Sequence, residues 1–201
     1  MLDTATFIAL AIFALVSSIT PGPNNLMLMA SGTNFGFPRS CPHMLGVVLG
    51  YAAMLLIVGS GVGLTIHSSP TASLLLKVAS SVYMLWLAWK IATAPPPSAQ
   101  LRSGARPLTF LQACAFQWIN PKGWAMALTA TAVYVPTQSP MMGLLIVALV
   151  FVVINLPVVG LWTGIGVQLR RLLDRPRTLR AFNVATALLL VGSLWPILAE
   201  G

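Results

Sequence analysis

The stretch Ser17-Ser18-Ile19-Thr20-Pro21-Gly22-Pro23-Asn24-Asn25 decides how this chain is read. It lies inside an apolar run over about residues 5–33, where an uninterrupted helix would otherwise be expected. Proline has no N–H, so Pro21 and Pro23 deprive the carbonyls of Ser17 and Ile19 of their usual helical donors. Each proline also disfavours helical geometry in the residue before it, here Thr20 and Gly22. The helix is predicted to stop and restart, with Asn24 and Asn25 near the new N-terminus. A single proline often does no more than kink a helix. Two prolines around a glycine, followed by paired asparagines, ask for more than a kink.

A second interruption, Gln117-Trp118-Ile119-Asn120-Pro121-Lys122-Gly123-Trp124, places Pro121 100 residues after Pro21. Pro121 is expected to free the carbonyl of Gln117, and Asn120 is a natural cap for the restarted helix. A further correspondence links Gly59/Gly63 with Gly160/Gly164, 101 residues apart. Both glycine pairs have the small-xxx-small spacing that lets helix backbones approach closely in lipid. Two features recurring at one offset indicate an internal repeat.

The surroundings of these breaks are membrane-like. Of 201 residues, 57% are hydrophobic and only 7% charged, with a mean hydropathy of +0.88. A soluble domain carries about 25% charged residues. Six apolar stretches run over about residues 5–33, 43–66, 71–93, 108–134, 141–167 and 180–199. At about 20 residues per crossing they leave only short loops, which excludes an appended soluble domain of ordinary size. The first stretch follows Met1-Leu2-Asp3-Thr4 without a basic residue and continues through the break, so signal-peptide cleavage is not expected.

The net charge of +8 serves topology. Arg39 falls between stretches 1 and 2, Lys90, Arg102 and Arg106 between 3 and 4, and Arg170, Arg171, Arg175, Arg177 and Arg180 between 5 and 6. The termini and the connections near Ser68-Ser69-Pro70 and Thr137-Gln138-Ser139-Pro140 hold no basic residue. This nine-to-zero split places the basic loops in the cytoplasm and both termini outside. Topology and attraction to anionic lipid account for the arginines, and a nucleic-acid role is set aside. Residues 94–107, with Pro95-Pro96-Pro97, read as a cytoplasmic linker between two three-span halves. An odd number of spans per half makes the repeat inverted. The expected fold is therefore all-α, a polytopic membrane protein with six transmembrane helices in two inverted three-helix repeats. These are residues 1–93 and 108–201, with helices 1 and 4 broken.

Discontinuous helices at matching positions of two inverted halves point to a transporter's binding site. Half-helix N-termini favour an anionic group, and freed carbonyls and amide side chains favour a cation. Lys122 lies 14 residues from Leu108 and 12 from Tyr134, about 18–21 Å from either interface at 1.5 Å per residue. Its stem cannot span that distance, so it must meet water, a polar partner or a substrate. Contact with a substrate carboxylate is the favoured reading, beside proton coupling and structural contact with freed carbonyls. The candidate binding residues are Thr20, Pro21, Gly22, Pro23, Asn24, Asn25, Gln117, Asn120, Pro121, Lys122 and Asn155. Asn155 is included because it stands two residues before Pro157 and can face the same cavity. Lys77 is close enough to its span end to snorkel. Tyr51, Trp118 and Trp124 could face an ammonium but read first as packing residues, and His43 and His67 as interfacial ones.

Thr20-Pro21-Gly22-Pro23-Asn24-Asn25, Gly36-Phe37, Trp86-Leu87-Ala88-Trp89-Lys90 and Asn120-Pro121-Lys122 together resemble the LysE/RhtB family of amino-acid exporters. The likeness covers nearly the whole chain. Pro-Gly-Pro-Asn-Asn and Trp-Leu-Ala-Trp-Lys-Ile-Ala most resemble the cysteine and O-acetylserine exporter branch. The resemblance implies proton-driven efflux of an amino acid or derivative from the bacterial cytoplasm. It implies no cofactor, and a small-molecule amino-acid substrate and the lipid bilayer as partners. Asp3, Asp174 and Glu200 all lie outside the spans, so no mid-membrane carboxylate is available to carry the proton or to attract a basic substrate.

Two other classes were weighed. A membrane thiol relay would use Cys41 and Cys114, but neither is flanked by proline in a broken helix, and small-residue packing explains both. A membrane hydrolase lacks a mid-membrane His–carboxylate or His–Cys arrangement, and no metal-ligand cluster occurs. Homo-oligomers suit so thin a bundle, with Gly46/Gly50 as a further close-packing face.

Overall fold

The computed structural model describes residues 3–62, 70–94, 106–136, 138–172 and 176–192. Within them the chain is all-helical: α1 (Thr4–Ile19), α2 (Pro23–Phe35), α3 (Phe37–Ile57), α4 (Pro70–Ala92), α5 (Phe110–Gln117), α6 (Pro121–Tyr134), α7 (Pro140–Leu172) and α8 (Pro176–Gly192). No strand occurs among the described residues. Asp3 caps α1, its carboxylate accepting the Thr6 N–H at 2.9 Å and the Thr6 hydroxyl at 2.7 Å. Those bonds, the backbone one first, hold its carboxyl below the ordinary range. It is the only acidic side chain among the described residues.

Both predicted breaks are present. α1 ends at Ile19 and α2 starts at Pro23, with a bend of 55° between them. α5 ends at Gln117 and α6 starts at Pro121. In both restarts proline occupies the first turn, where its missing N–H costs nothing.

Among the described residues, two helices are long and apolar enough to cross a bilayer, Phe37–Gly61 and Pro140–Arg170, or three if the bent pair α1–α2 is one span. α7 is the central post, packed against α1, α2, α3 and α6, while α4 and α8 pair beside α2. Three apolar clusters fill the interior. Leu10, Tyr51, Trp124 and Phe151 anchor one, Met27, Met84, Phe116 and Leu190 the second, and Leu28, Val47, Ala113 and Val159 the third. Large apolar side chains such as Ile12, Leu75, Leu111 and Leu149 stay exposed, while Asn25, Asn34, Gln117, Asn120, Asn155 and Asn183 are buried. This inside-out arrangement suits a protein whose solvent is lipid, where polar groups must find partners within the fold.

Several expectations need correction. The second apolar stretch begins as helix at Phe37 rather than residue 43, because Gly36, at φ 82°, makes the whole turn by itself. Arg39 is therefore on the first helical turns, not in a loop, and Arg170 remains within α7. His43 is not interfacial: it is 1% exposed. Gly46 and Gly50 do close-pack, but within the chain. A Cβ on Gly50 would come 2.6 Å from Cys114 Cα, and one on Gly46 would meet the Phe110 carbonyl, so this face belongs to α5 rather than to a second copy. Gly160 has nothing nearer than Met44 at 3.8 Å, and Gly164 has nothing within 4 Å, so neither is a close-approach glycine. That role in α7 goes to Gly166, which faces the Met29 backbone, while Gly32 of α2 faces the Thr163 backbone. Thr33 donates across the same crossing to the Gly166 carbonyl at 2.9 Å. The linker proper, Gly63, His67, Arg102, Asp174, Glu200 and the Lys77 side chain lie outside the described residues.

Candidate functional site

The two breaks meet. Lys122, on the first turn of α6, reaches across to the end of α1, where Nζ donates to the Thr20 carbonyl at 2.6 Å and contacts the Thr20 hydroxyl oxygen at 3.0 Å. Its stem lies over Gly22, where a Cβ would approach Lys122 Cδ to 2.8 Å. The electrostatics favour this geometry. A cation near the N-terminus of its own helix is unfavourably placed, and the C-terminal carbonyl end of α1 is where a cation is stabilised.

The carbonyls freed by Pro21 and Pro23 are not bare. Ser17 O accepts the Thr20 hydroxyl at 2.9 Å, and Ile19 O accepts the Trp162 indole N–H at 3.3 Å. Asn25 Nδ2 donates to Ser18 O at 2.8 Å and to Thr20 O at 2.9 Å, pinning the new helix to the old one. At the second break the expected orphan is also satisfied: Gln117 O accepts the Asn120 N–H at 3.3 Å. Trp124 Nε1 donates to Trp118 O at 2.8 Å. Asn120 holds the N-cap position, but its side chain makes no capping bond. Its Oδ1 is buried without a partner among the described residues.

Between the breaks lies a polar chamber of about 30 Å³. Of the predicted candidates, Gly22, Asn24, Asn25, Gln117, Asn120, Lys122 and Asn155 line it. Asn24 and Gln117 form a reciprocal amide pair, 2.8 Å from Asn24 Nδ2 to Gln117 Oε1 and 3.2 Å from Gln117 Nε2 to Asn24 Oδ1. Thr20 touches the site through Lys122. Pro21, Pro23 and Pro121 shape it without lining it. Sequence reasoning missed Ser18 and the hydroxyl of Tyr51, which line the chamber and are buried without partners among the described residues. Their only signal was position: Ser18 precedes Pro21 by about one helical turn, and Tyr51 lies about four turns into a long apolar helix. Trp162 was missed as a donor, and nothing local to α7 marks it. Trp118 and Trp124 pack on each other edge to face, 6.3 Å between ring centroids.

Ser18 Oγ, Tyr51 Oη and Asn120 Oδ1 thus form a set of three unpartnered polar atoms around one small volume. An unsatisfied buried polar group costs about 1–3 kcal/mol. Three around one chamber leave hydrogen-bonding capacity that the described residues do not use.

The cysteines serve packing. Cys41 and Cys114 are free thiols, donating to Phe37 O at 3.6 Å and Gly46 O at 3.4 Å. These carbonyls are nine residues apart on α3, about 13 Å of helical rise, so the thiols do not form a dithiol pair.

Comparison with known proteins agrees with this architecture. The LysE type translocator family matches residues 15–193. The chain is 33% identical over 181 residues to the cysteine/O-acetylserine efflux proteins of Escherichia coli K12 and of Shigella flexneri, covering 89% of this chain and 90% of each relative. The protein of that name from Escherichia coli O139:H28 is 37% identical over 128 residues, 63% of this chain and 64% of its own length. No solved structure matches. With a family match over most of its length and relatives that are transporters rather than enzymes, this chain belongs to the LysE type translocators.

Proposed function

We propose that this protein exports small, uncharged-side-chain amino acids or their derivatives, of the cysteine and O-acetylserine kind, from the bacterial cytoplasm across the inner membrane. The reading combines the family, the names of the relatives and the chamber. Its carrying observation is Lys122, the one charged group in a polar chamber built at the crossing of two broken helices.

In this reading the substrate carboxylate pairs with the Lys122 ammonium, which exchanges its bond to Thr20 for the substrate. The substrate ammonium takes the Thr20 carbonyl and the unpartnered Asn120 Oδ1, and Tyr51 and Ser18 serve its remaining polar groups. No carboxylate lines the chamber, so a cationic side chain finds no counter-charge there. Proton coupling then falls to Lys122, the basic group facing the substrate.

The chamber is smaller than the ~300 Å³ typical of small-molecule pockets, so the breaks must part to admit a substrate. Alternating access between six spans in two inverted repeats, residues 1–93 and 108–201 joined by the cytoplasmic linker 94–107, supplies that motion, with both termini outside. The correspondence of the breaks supports the repeat. Lys122 occupies the position equivalent to Gly22 at the 100-residue offset, and the two residues touch, as equivalent positions near a pseudo-two-fold axis do. In both halves the carbonyl three residues before the proline, Ser18 or Trp118, is taken by a side chain from the restarted helix.

The test is uptake into inside-out membrane vesicles over a panel of amino acids. O-acetylserine and cysteine should be taken up by the wild type, lysine and arginine should not, and Lys122→Ala should abolish uptake at unchanged membrane abundance. Full transport by that variant removes Lys122 from the mechanism.

A further inference from the structure

A second cavity, of about 600 Å³, opens between α2, the start of α3, the end of α4 and the segment leading into α5. Ser31, Asn34, His43, Lys90, Arg106 and Gln112 contribute its polar lining. Three observations mark it as more than a gap in packing. First, His43 is 1% exposed, yet neither ring nitrogen has a partner among the described residues. A neutral imidazole offers one donor and one acceptor, and burying both unused is costly. Second, Lys90 and Arg106, from opposite ends of the connection between α4 and α5, both contribute to its lining. The only described carboxylate, Asp3, is bound to Thr6 at the start of α1, and Lys90 rests 4.9 Å over the Trp86 ring. Third, the cavity is stacked on the central chamber along the same three helices. α2 lines the cavity with Ser31 and Asn34 and the chamber with Asn24 and Asn25; α5 uses Gln112 and Gln117; α3 uses His43 and Tyr51. His43 and Tyr51 are eight residues apart, about 12 Å along the helix. The Asn24–Gln117 amide pair, in the wall of the chamber, ties α2 to α5.

We infer that this cavity is a second, cytoplasm-facing binding site for the substrate, rested on the export reading above. It holds a small zwitterion with its carboxylate between Lys90 and Arg106 and its ammonium directed at His43. Its volume lies within the ~300–1,000 Å³ usual for small-molecule sites. The absence of an acidic side chain from the lining excludes cationic side chains here as in the chamber. The substrate is then captured at the cavity and passes to the chamber when the Asn24–Gln117 pair opens.

Because Lys90 and Arg106 are exposed, replacing them leaves the buried fold intact. The probe is O-acetylserine uptake into inside-out proteoliposomes, made once with phosphatidylcholine alone and once with added phosphatidylglycerol. In both lipids, the double variant Lys90→Gln/Arg106→Gln should raise KM about a hundredfold, the loss of two charge-assisted contacts at about tenfold each, while Arg106→Lys alone keeps most of the affinity. Arg170→Gln, a basic residue outside the cavity lining, should keep the wild-type KM and so controls for general surface charge. An unchanged KM in the double variant, or a fall in Vmax alone, overturns the second site and leaves the export reading standing. A KM shift seen only with phosphatidylglycerol assigns the two cations to a lipid phosphate and also overturns it. Wild-type protein that takes up none of the panel sinks the export reading and this site together.

Discussion

The two broken helices start from the same problem and solve it differently. At the first break, the carbonyls released around Pro21 are capped by side chains from four places: Thr20 at the break itself, Asn25 from the restarted helix, Trp162 from α7 and Lys122 from α6. At the second, the chain heals itself, with the Asn120 N–H on Gln117 O and Trp124 on Trp118 O. The first break therefore depends on the other half of the molecule, whereas the second leaves Asn120 Oδ1 spare. A break held from outside can be released by moving the partner. A self-contained break can offer its spare polar atom to a guest. Under the proposed export function, that division of labour suits a site that opens and binds.

This contrast can be tested by removing one pin at a time. The largest stability effect is expected for Asn25→Ala, which withdraws one hydrogen bond from the buried Ser18 carbonyl and one from Thr20 O, which Lys122 also serves. A loss of about 3 kcal/mol, read as a melting temperature in detergent lowered by roughly 6–12 °C, follows from leaving Ser18 O unsatisfied and removing one of the two side-chain donors to Thr20 O. A shift below 2 °C would mean that Lys122 and Trp162 hold the first break without Asn25. Trp124→Phe keeps the ring and removes one donor, so a smaller cost of about 1–2 kcal/mol is expected. If it matched Asn25→Ala, the second break would not be self-contained. Asn120→Ala should be the mildest, under about 1 kcal/mol, because its Oδ1 bonds to nothing within the fold. The same variant should nonetheless reduce O-acetylserine uptake several-fold. Normal uptake by a variant of unchanged stability would leave the spare oxygen without a function.

Much of this was legible in the chain itself. Proline acts on the backbone of its own and preceding residues, so both breaks could be located to within a residue or two. The family likeness rested on the same short motifs. Lys122 was identifiable from its distance to both ends of its span, since side-chain reach is a local quantity. Other features were hidden because they depend on which surfaces meet. Asn120 looked like a cap, yet its side chain turns into the chamber. Gly160 and Gly164 had the spacing of close packing, but α2 crosses α7 at Gly166, so spacing identified the wrong glycines. His43 resembled an interfacial histidine because Gly36 could not be recognised as a complete turn, which carries α3 deeper into the protein than its hydropathy suggested.

The sequence by itself determined that the chain belongs in lipid, where two helices must break, and which amide and amine side chains stand beside those breaks. These follow from composition and from the covalent geometry of proline, which act within a few residues. Only the tertiary structure decided that Lys122 bonds to Thr20, that Asn24 pairs with Gln117 and that Ser18, Tyr51 and Asn120 are left with unpaired atoms around one volume. Those outcomes depend on the angle at which the halves cross, and that angle is set by packing between residues about 100 positions apart.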